Sequence, residues 1–102
     1  MSDPRQLVNL MQGASDIKVS IDAAQRLGSL GALAQSAIGP MISVMQHSNN
    51  EDVRCAAAEG LGKLGPIAKD AVGPLVFMMQ NANSTKVREV AKQVVKKLNR
   101  EK

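Results

Sequence analysis

The chain repeats itself every 34 residues. Writing residues 14–47 above 48–81, with no gap, aligns Val19 with Val53, Ala23 with Ala57, Ala24 with Ala58, Leu27 with Leu61 and Gly28 with Gly62. It also aligns Leu30 with Leu64, Gly31 with Gly65, Ala34 with Ala68, Ala37 with Ala71, Gly39 with Gly73, Pro40 with Pro74, Met45 with Met79 and Gln46 with Gln80. The same offset pairs Met11-Gln12 with Met45-Gln46 upstream and Val53-Arg54 with Val87-Arg88 downstream. A period of this length decides the architecture before any local reading, because one unit cannot bury its own apolar face and must stack on its neighbours. The chain divides into a half repeat at 4–13, full repeats at 14–47 and 48–81, and a half repeat at 82–99, within a single domain of 102 residues.

Inside each unit the apolar spacing is helical. Val53, Ala56, Ala57, Gly60, Leu61 and Leu64 recur at one face of a 3.6-residue period, and Val87, Val90, Ala91, Val94, Val95 and Leu98 repeat it. A second set, Ile38, Met41, Ile42 and Met45, corresponds to Val72, Leu75, Val76 and Met79, and upstream to Pro4, Leu7, Val8 and Met11. Ser15-Asp16, Asn49-Asn50 and Asn83-Ser84 supply side chains suited to cap orphan amides, and Gly31 and Gly65 supply stops. The spacing predicts six helices at 4–12, 16–29, 34–46, 51–64, 68–80 and 85–99, alternately B and A. Pro40 and Pro74 fall inside B helices, where each deletes a donor and should kink the first turns or push the start downstream. Composition agrees: aromatics are 1%, with one Phe and no Trp or Tyr, while Met numbers six, which argues against strand-rich folds and base-stacking platforms. The fold class is all-α, an α/α superhelix of about three helical pairs.

The run Asn-Glu-Asp-Val-Arg-Cys-Ala-Ala-Ala-Glu-Gly-Leu-Gly-Lys-Leu-Gly-Pro at 50–66 resembles the HEAT repeat, in the short bacterial-type variant also found in phycobilin lyases. The likeness extends from Pro4 to Leu98 through Val-Arg at 53–54 and 87–88, Leu-Gly-x-Leu-Gly at 27–31 and 61–65, and Ala-x-Gly-Pro at 37–40 and 71–74. A tetratricopeptide repeat shares the length but wants aromatic positions that are not here. The HEAT resemblance implies a scaffold whose B helices form a concave wall gripping another protein. It also implies that Arg54 and Arg88 join a ladder between adjacent repeats, incomplete at the first unit, where Ser20 stands. The nearby Asp22 and Arg26, at i and i+4, could substitute there.

Catalytic sets are nearly absent from the sequence. One His and one Cys leave no nucleophile–base or metal-ligand spacing, so no enzyme activity, cofactor or metal is expected. His47 reads as a solvated loop residue and Cys55 as a small packing residue. The B helices offer more. Counting 100° per residue, Phe77 points away from the core face, with Ser43 and Asn9 as its equivalents, and it either covers the open end of the last B helix or anchors a partner. Beside it run the rows Gln12/Gln46/Gln80 and Leu10/Val44/Met78, the latter either exposed or touching neighbouring B helices. The candidate partner-binding set is therefore Asn9, Gln12, Ser43, Gln46, Phe77, Met78 and Gln80.

Charge is unevenly placed. Residues 84–102 carry seven Lys/Arg against two Glu, whereas 1–83 carry six against seven Asp/Glu. Lys86, Arg88, Lys92, Lys96, Lys97, Arg100 and Lys102 read either as the solvated face of a capping helix or as a footprint for phosphate or nucleic acid. The first helix has few charges around Leu7, Val8, Leu10 and Met11, which makes that end a candidate for self-association. A third role, an accessory subunit of a lyase-type complex, rests on the family likeness alone. The longest apolar run, Leu75–Met79, cannot cross a bilayer and no secretory pattern opens the chain, so a soluble cytoplasmic protein is expected.

Overall fold

The computed structural model describes residues 3–100, and in them the chain is all helical. Six α-helices follow one another: α1 (Pro4–Gly13), α2 (Ile17–Ser29), α3 (Ile38–His47), α4 (Glu51–Leu64), α5 (Val72–Asn81) and α6 (Thr85–Arg100). Short 3-10 segments, Gly31–Ala37 and Gly65–Ala71, lead into α3 and α5. The smallest extent, 16 Å, is the thickness of two helix layers. One layer holds the A helices α2, α4 and α6, and the other the B helices α1, α3 and α5.

Local chemistry sets the boundaries. The carboxylates of Asp3 and Asp16 accept from the amides of Arg5 and Lys18, and Asn50 Oδ1 accepts from both Asp52 and Val53. Gly31 and Gly65 adopt φ of 60° and 69°, a region closed to most side chains, and α2 and α4 stop just before them. The B helices expected at 34–46 and 68–80 are shorter than that. Pro40 and Pro74 occupy the third position of α3 and α5, where a missing amide costs nothing. A helix running back to Ala34 or Ala68 would drive the proline ring into the carbonyl four residues earlier. The preceding segments tighten into 3-10 turns, with breaks at Ala34 (φ −96°, ψ 15°) and Ala68 (φ −96°, ψ 24°).

Packing is out of phase with the sequence period. The closely packed hairpins are α1–α2, α3–α4 and α5–α6, while each A helix reaches its following B helix through a 3-10 segment. The core between the layers is aliphatic, with Leu27, Met41, Met45, Leu61, Leu75 and Val87 fully buried. A helices pack against each other along their length, whereas neighbouring B helices make few contacts. Small residues cause the difference. A Cβ built on Gly28 would stand 2.8 Å from Gly60 Cα, and one on Gly60 would stand 2.7 Å from the Ala24 carbonyl oxygen.

The equivalence of Val19, Val53 and Val87 holds in position but not in exposure: Val53 and Val87 are 5% and 2% exposed, Val19 37%. Val19 lies on the first A helix, where no earlier one covers it among the described residues. Replacing Gly28 with Ala should lower the unfolding free energy by about 1–3 kcal/mol in urea denaturation, because overpacking outweighs alanine's helix preference of about 1 kcal/mol. Gly39→Ala, which meets nothing within 4 Å, should be neutral or slightly stabilising.

Candidate functional site

The spaced B helices leave two grooves at their C-terminal ends. Between α1 and α3 lies a groove of about 350 Å³ lined by Met11, Gln12, Ser43, Val44, His47, Ser48 and Asn49. Between α3 and α5 lies one of about 390 Å³ lined by Gln46, His47, Arg54, Phe77, Met78, Asn81, Ala82 and Asn83. Of the residues singled out from sequence, the first groove gathers Gln12 and Ser43 and the second gathers Gln46, Phe77 and Met78. Asn9 and Gln80 are exposed on α1 and α5 but line neither groove. The single continuous wall implied by the family likeness is thus two separate grooves joined at His47.

Phe77 is 63% exposed, so most of its surface faces solvent. Met78 corrects the sequence reading: it is only 3% exposed, because its row faces the preceding B helix. It forms part of the groove floor and is not a free anchor. Arg54, expected only as an inter-repeat residue, also lines the second groove, and the groove residues that sequence reasoning missed are His47 and Asn81 with the turn residues Ser48, Asn49, Ala82 and Asn83. Their signal was the period itself, since His47/Asn81 and Asn49/Asn83 are 34 apart.

Arg54 and Arg88 hold the groove edges in place. Arg54 Nε donates to the Met45 carbonyl at 2.9 Å, and the Arg88 guanidinium donates to the Ala82 carbonyl and, at 3.0 Å, to Thr85 Oγ1. Ser20 Oγ donates to the Leu10 carbonyl at 3.3 Å, and Ser20 is buried. The expected side-to-side ladder is therefore a set of latches, each tying an A helix to a backbone carbonyl at or just after the end of the preceding B helix, that of Leu10 also accepting from the Ala14 amide. Because a hydroxyl suffices for the first latch, the series is complete across all three hairpins. The Asp22–Arg26 pair forms at 2.7 Å but is more than half exposed and takes no part in it.

The C-terminal cations do not converge. Lys86 pairs with Asp52, which holds its ammonium above the ordinary lysine range, and Ser84 Oγ donates to Glu51 at 3.1 Å beside it. Arg88 is occupied by its latch. Lys92, Lys96 and Arg100 form a stripe on the outer end of α6, and Lys97 turns to a groove of about 420 Å³ on the A side, with Gln25, Glu59, Lys63 and Gln93. Lys102 lies outside the described residues. Among the described residues a single anion-binding face is therefore not assembled, because Lys86 is engaged by Asp52 and Arg88 by its hydrogen bonds, and the others point different ways. Burial pushes the Cys55 thiol up, with Lys86 opposing, as suits a packing residue rather than a nucleophile. Among the described residues no group of three His, Cys, Asp or Glu could hold a metal, and no helix is long and apolar enough to cross a membrane.

A family model for HEAT repeats matches residues 4–96, and the chain belongs to that family. No curated protein and no solved structure matches it. HEAT repeats generally mediate binding between proteins and are typically a non-catalytic scaffold fold.

Truncating Arg54 to Ala should cost about 1–3 kcal/mol, the range for a hydrogen bond to a charged group, and should speed amide exchange in the last turn of α3. Cys55 should react with a thiol reagent only as fast as the molecule opens, so labelling should accelerate across the urea transition.

Proposed function

We propose that the chain is a non-enzymatic protein-binding module that takes a segment of a partner protein along the B side, across the groove between α3 and α5. The observation that carries this is the pairing of a highly exposed Phe77 with a groove whose rim is amide-rich, at Gln46, Asn81 and Asn83, and whose floor is Met78 and Ala82. An aromatic beside a desolvatable floor and surrounded by donors and acceptors is the composition of a binding hot spot. Gln12 and Ser43 extend the same surface toward α1, with Asn9 and Gln80 at its margins. Methionine on the floor lets the groove adjust to different apolar side chains.

The A-side groove is a weaker competitor. Its walls include exposed long side chains of both signs, Glu59, Lys63 and Lys97, whose charges need no partner while solvated.

The test is selection of peptides from a random displayed library on the immobilised full chain, followed by titration against variants. Peptides selected on the wild type should lose at least about tenfold in affinity for Phe77→Asp, equivalent to about 1.4 kcal/mol, and bind Lys63→Glu unchanged. Equal binding to Phe77→Asp, with circular dichroism showing an intact fold, contradicts the assignment.

A further inference from the structure

Because positions 34 apart are equivalent, what a helix face packs against in the middle of the stack shows what the same face lacks at an end. On α4 the stripe Val53, Ala56 and Gly60 faces α2, since Gly60 abuts the Ala24 carbonyl and Gly28. On α6 the equivalent stripe Val87, Val90 and Val94 faces α4, with Val94 3.2 Å from a Cβ built on Gly62. On α2 that stripe reads Val19, Asp22 and Arg26 and faces outward. Beside it Leu10 of α1 is 45% exposed, although its equivalents Val44 and Met78 are buried by the preceding B helix. Two apolar positions that the rest of the fold buries thus flank an exposed ion pair.

The other end of the stack is built differently. The face that α2 and α4 turn to the next A helix carries Ala24 and Ala58, Gly28 and Gly62. On α6 those positions are Lys92 and Lys96, and Glu89 stands where Cys55 is. Seating α6 of one molecule on α2 of another would bury those ammonium groups beside Val19 and Arg26, so head-to-tail stacking is opposed. The Asp22–Arg26 stripe is complementary to itself. Run antiparallel against its own copy, it sets Asp22 of each chain opposite Arg26 of the other.

We propose that the α1–α2 end is a contact between two copies of this chain, related by a two-fold axis through both layers. Asp22–Arg26 pairs are exchanged across the axis, with Val19 and Leu10 buried alongside. The slab is 16 Å thick and its other extents are 34 and 29 Å, so an end face measures about 500 Å² whichever of the two bounds it, less than the roughly 800 Å² per partner of a standard interface. A contact of that size falls among the small, transient interfaces, so association is expected to be weak and reversible. The contact leaves the B-side grooves of both copies open, so it stands independently of the peptide-binding reading and would present two such grooves together.

Sedimentation equilibrium of the full chain, over about a hundredfold concentration range reaching several hundred micromolar, tests it. The weight-average mass should climb from 10.8 kDa toward twice that value. Arg26→Asp and Asp22→Arg should each raise Kd at least about tenfold, since like charges then meet across the axis. Mixed in equal amounts, the two variants should associate again, because an acidic stripe meets a basic one, a result that loss of folding cannot imitate. Lys96→Glu should leave association unchanged. A concentration-independent mass of 10.8 kDa, single variants that associate like the wild type, a mixture that stays monomeric, or loss of association in Lys96→Glu would each overturn the proposal.

Discussion

The close approach of backbones between α2 and α4 sets the geometry of everything around it. Gly28 and Gly60 meet where any Cβ would collide with main chain, and a methyl group is enough to force the helices apart. The A helices are drawn into one tightly packed row by such small residues, and Gly62 admits Val94 to continue it. Each B helix is tied to its own A helix by a short turn and a latch to its last carbonyls. Among the described residues nothing comparable pulls the B helices together, since the residues buried between them, Val44 and Met78, are large. The grooves at their C-terminal ends follow from that mismatch of side-chain size between the two layers.

Much of this was legible in the sequence because the period carries information twice over. The apolar stripes placed the six helices, the caps at Asp16 and Asn50 placed two starts, and Gly31 and Gly65 placed two stops. Exposure at the ends was less legible. Helical periodicity says which face of α2 carries Val19 but not whether a neighbour stands there, and on α5 it found the core-packed Leu75, Val76 and Met79 but not the burial of Met78. The angular count placed Met78 well off the α5 core face and cannot register a helix approaching from that side. The proline effect was anticipated in kind, but the 3-10 segments that replace the first turns required the steric constraint on the preceding carbonyl to be followed back through Ser36 and Asp70.

The latches show how residue identity can mislead when role is defined by side-chain type. Arg54 and Arg88 share one position with Ser20, and a ladder of guanidinium groups would be broken by serine. A donor aimed at a helix-terminal carbonyl is not broken, since the acceptor is backbone and present in every repeat. The C-terminal lysines show the converse: seven cations in nineteen residues suggested one electrostatic surface. Folding distributes them among an inter-repeat pair with Asp52, a latch, an end face and a groove wall. Where Lys92 and Lys96 replace alanine and glycine, their main consequence is steric and solvation-based, because they prevent the A row from continuing by the same close contact.

The central claim is that a continuous A row carries the fold, with α4 at its middle and the B helices held individually from it. Native-state hydrogen exchange of the full chain measures this directly, helix by helix. The account predicts that buried amides of α4 exchange only by global unfolding, while those of α1 and α5 exchange through smaller openings of lower free energy. Protection in α1 or α5 equal to or above that of α4 would contradict it.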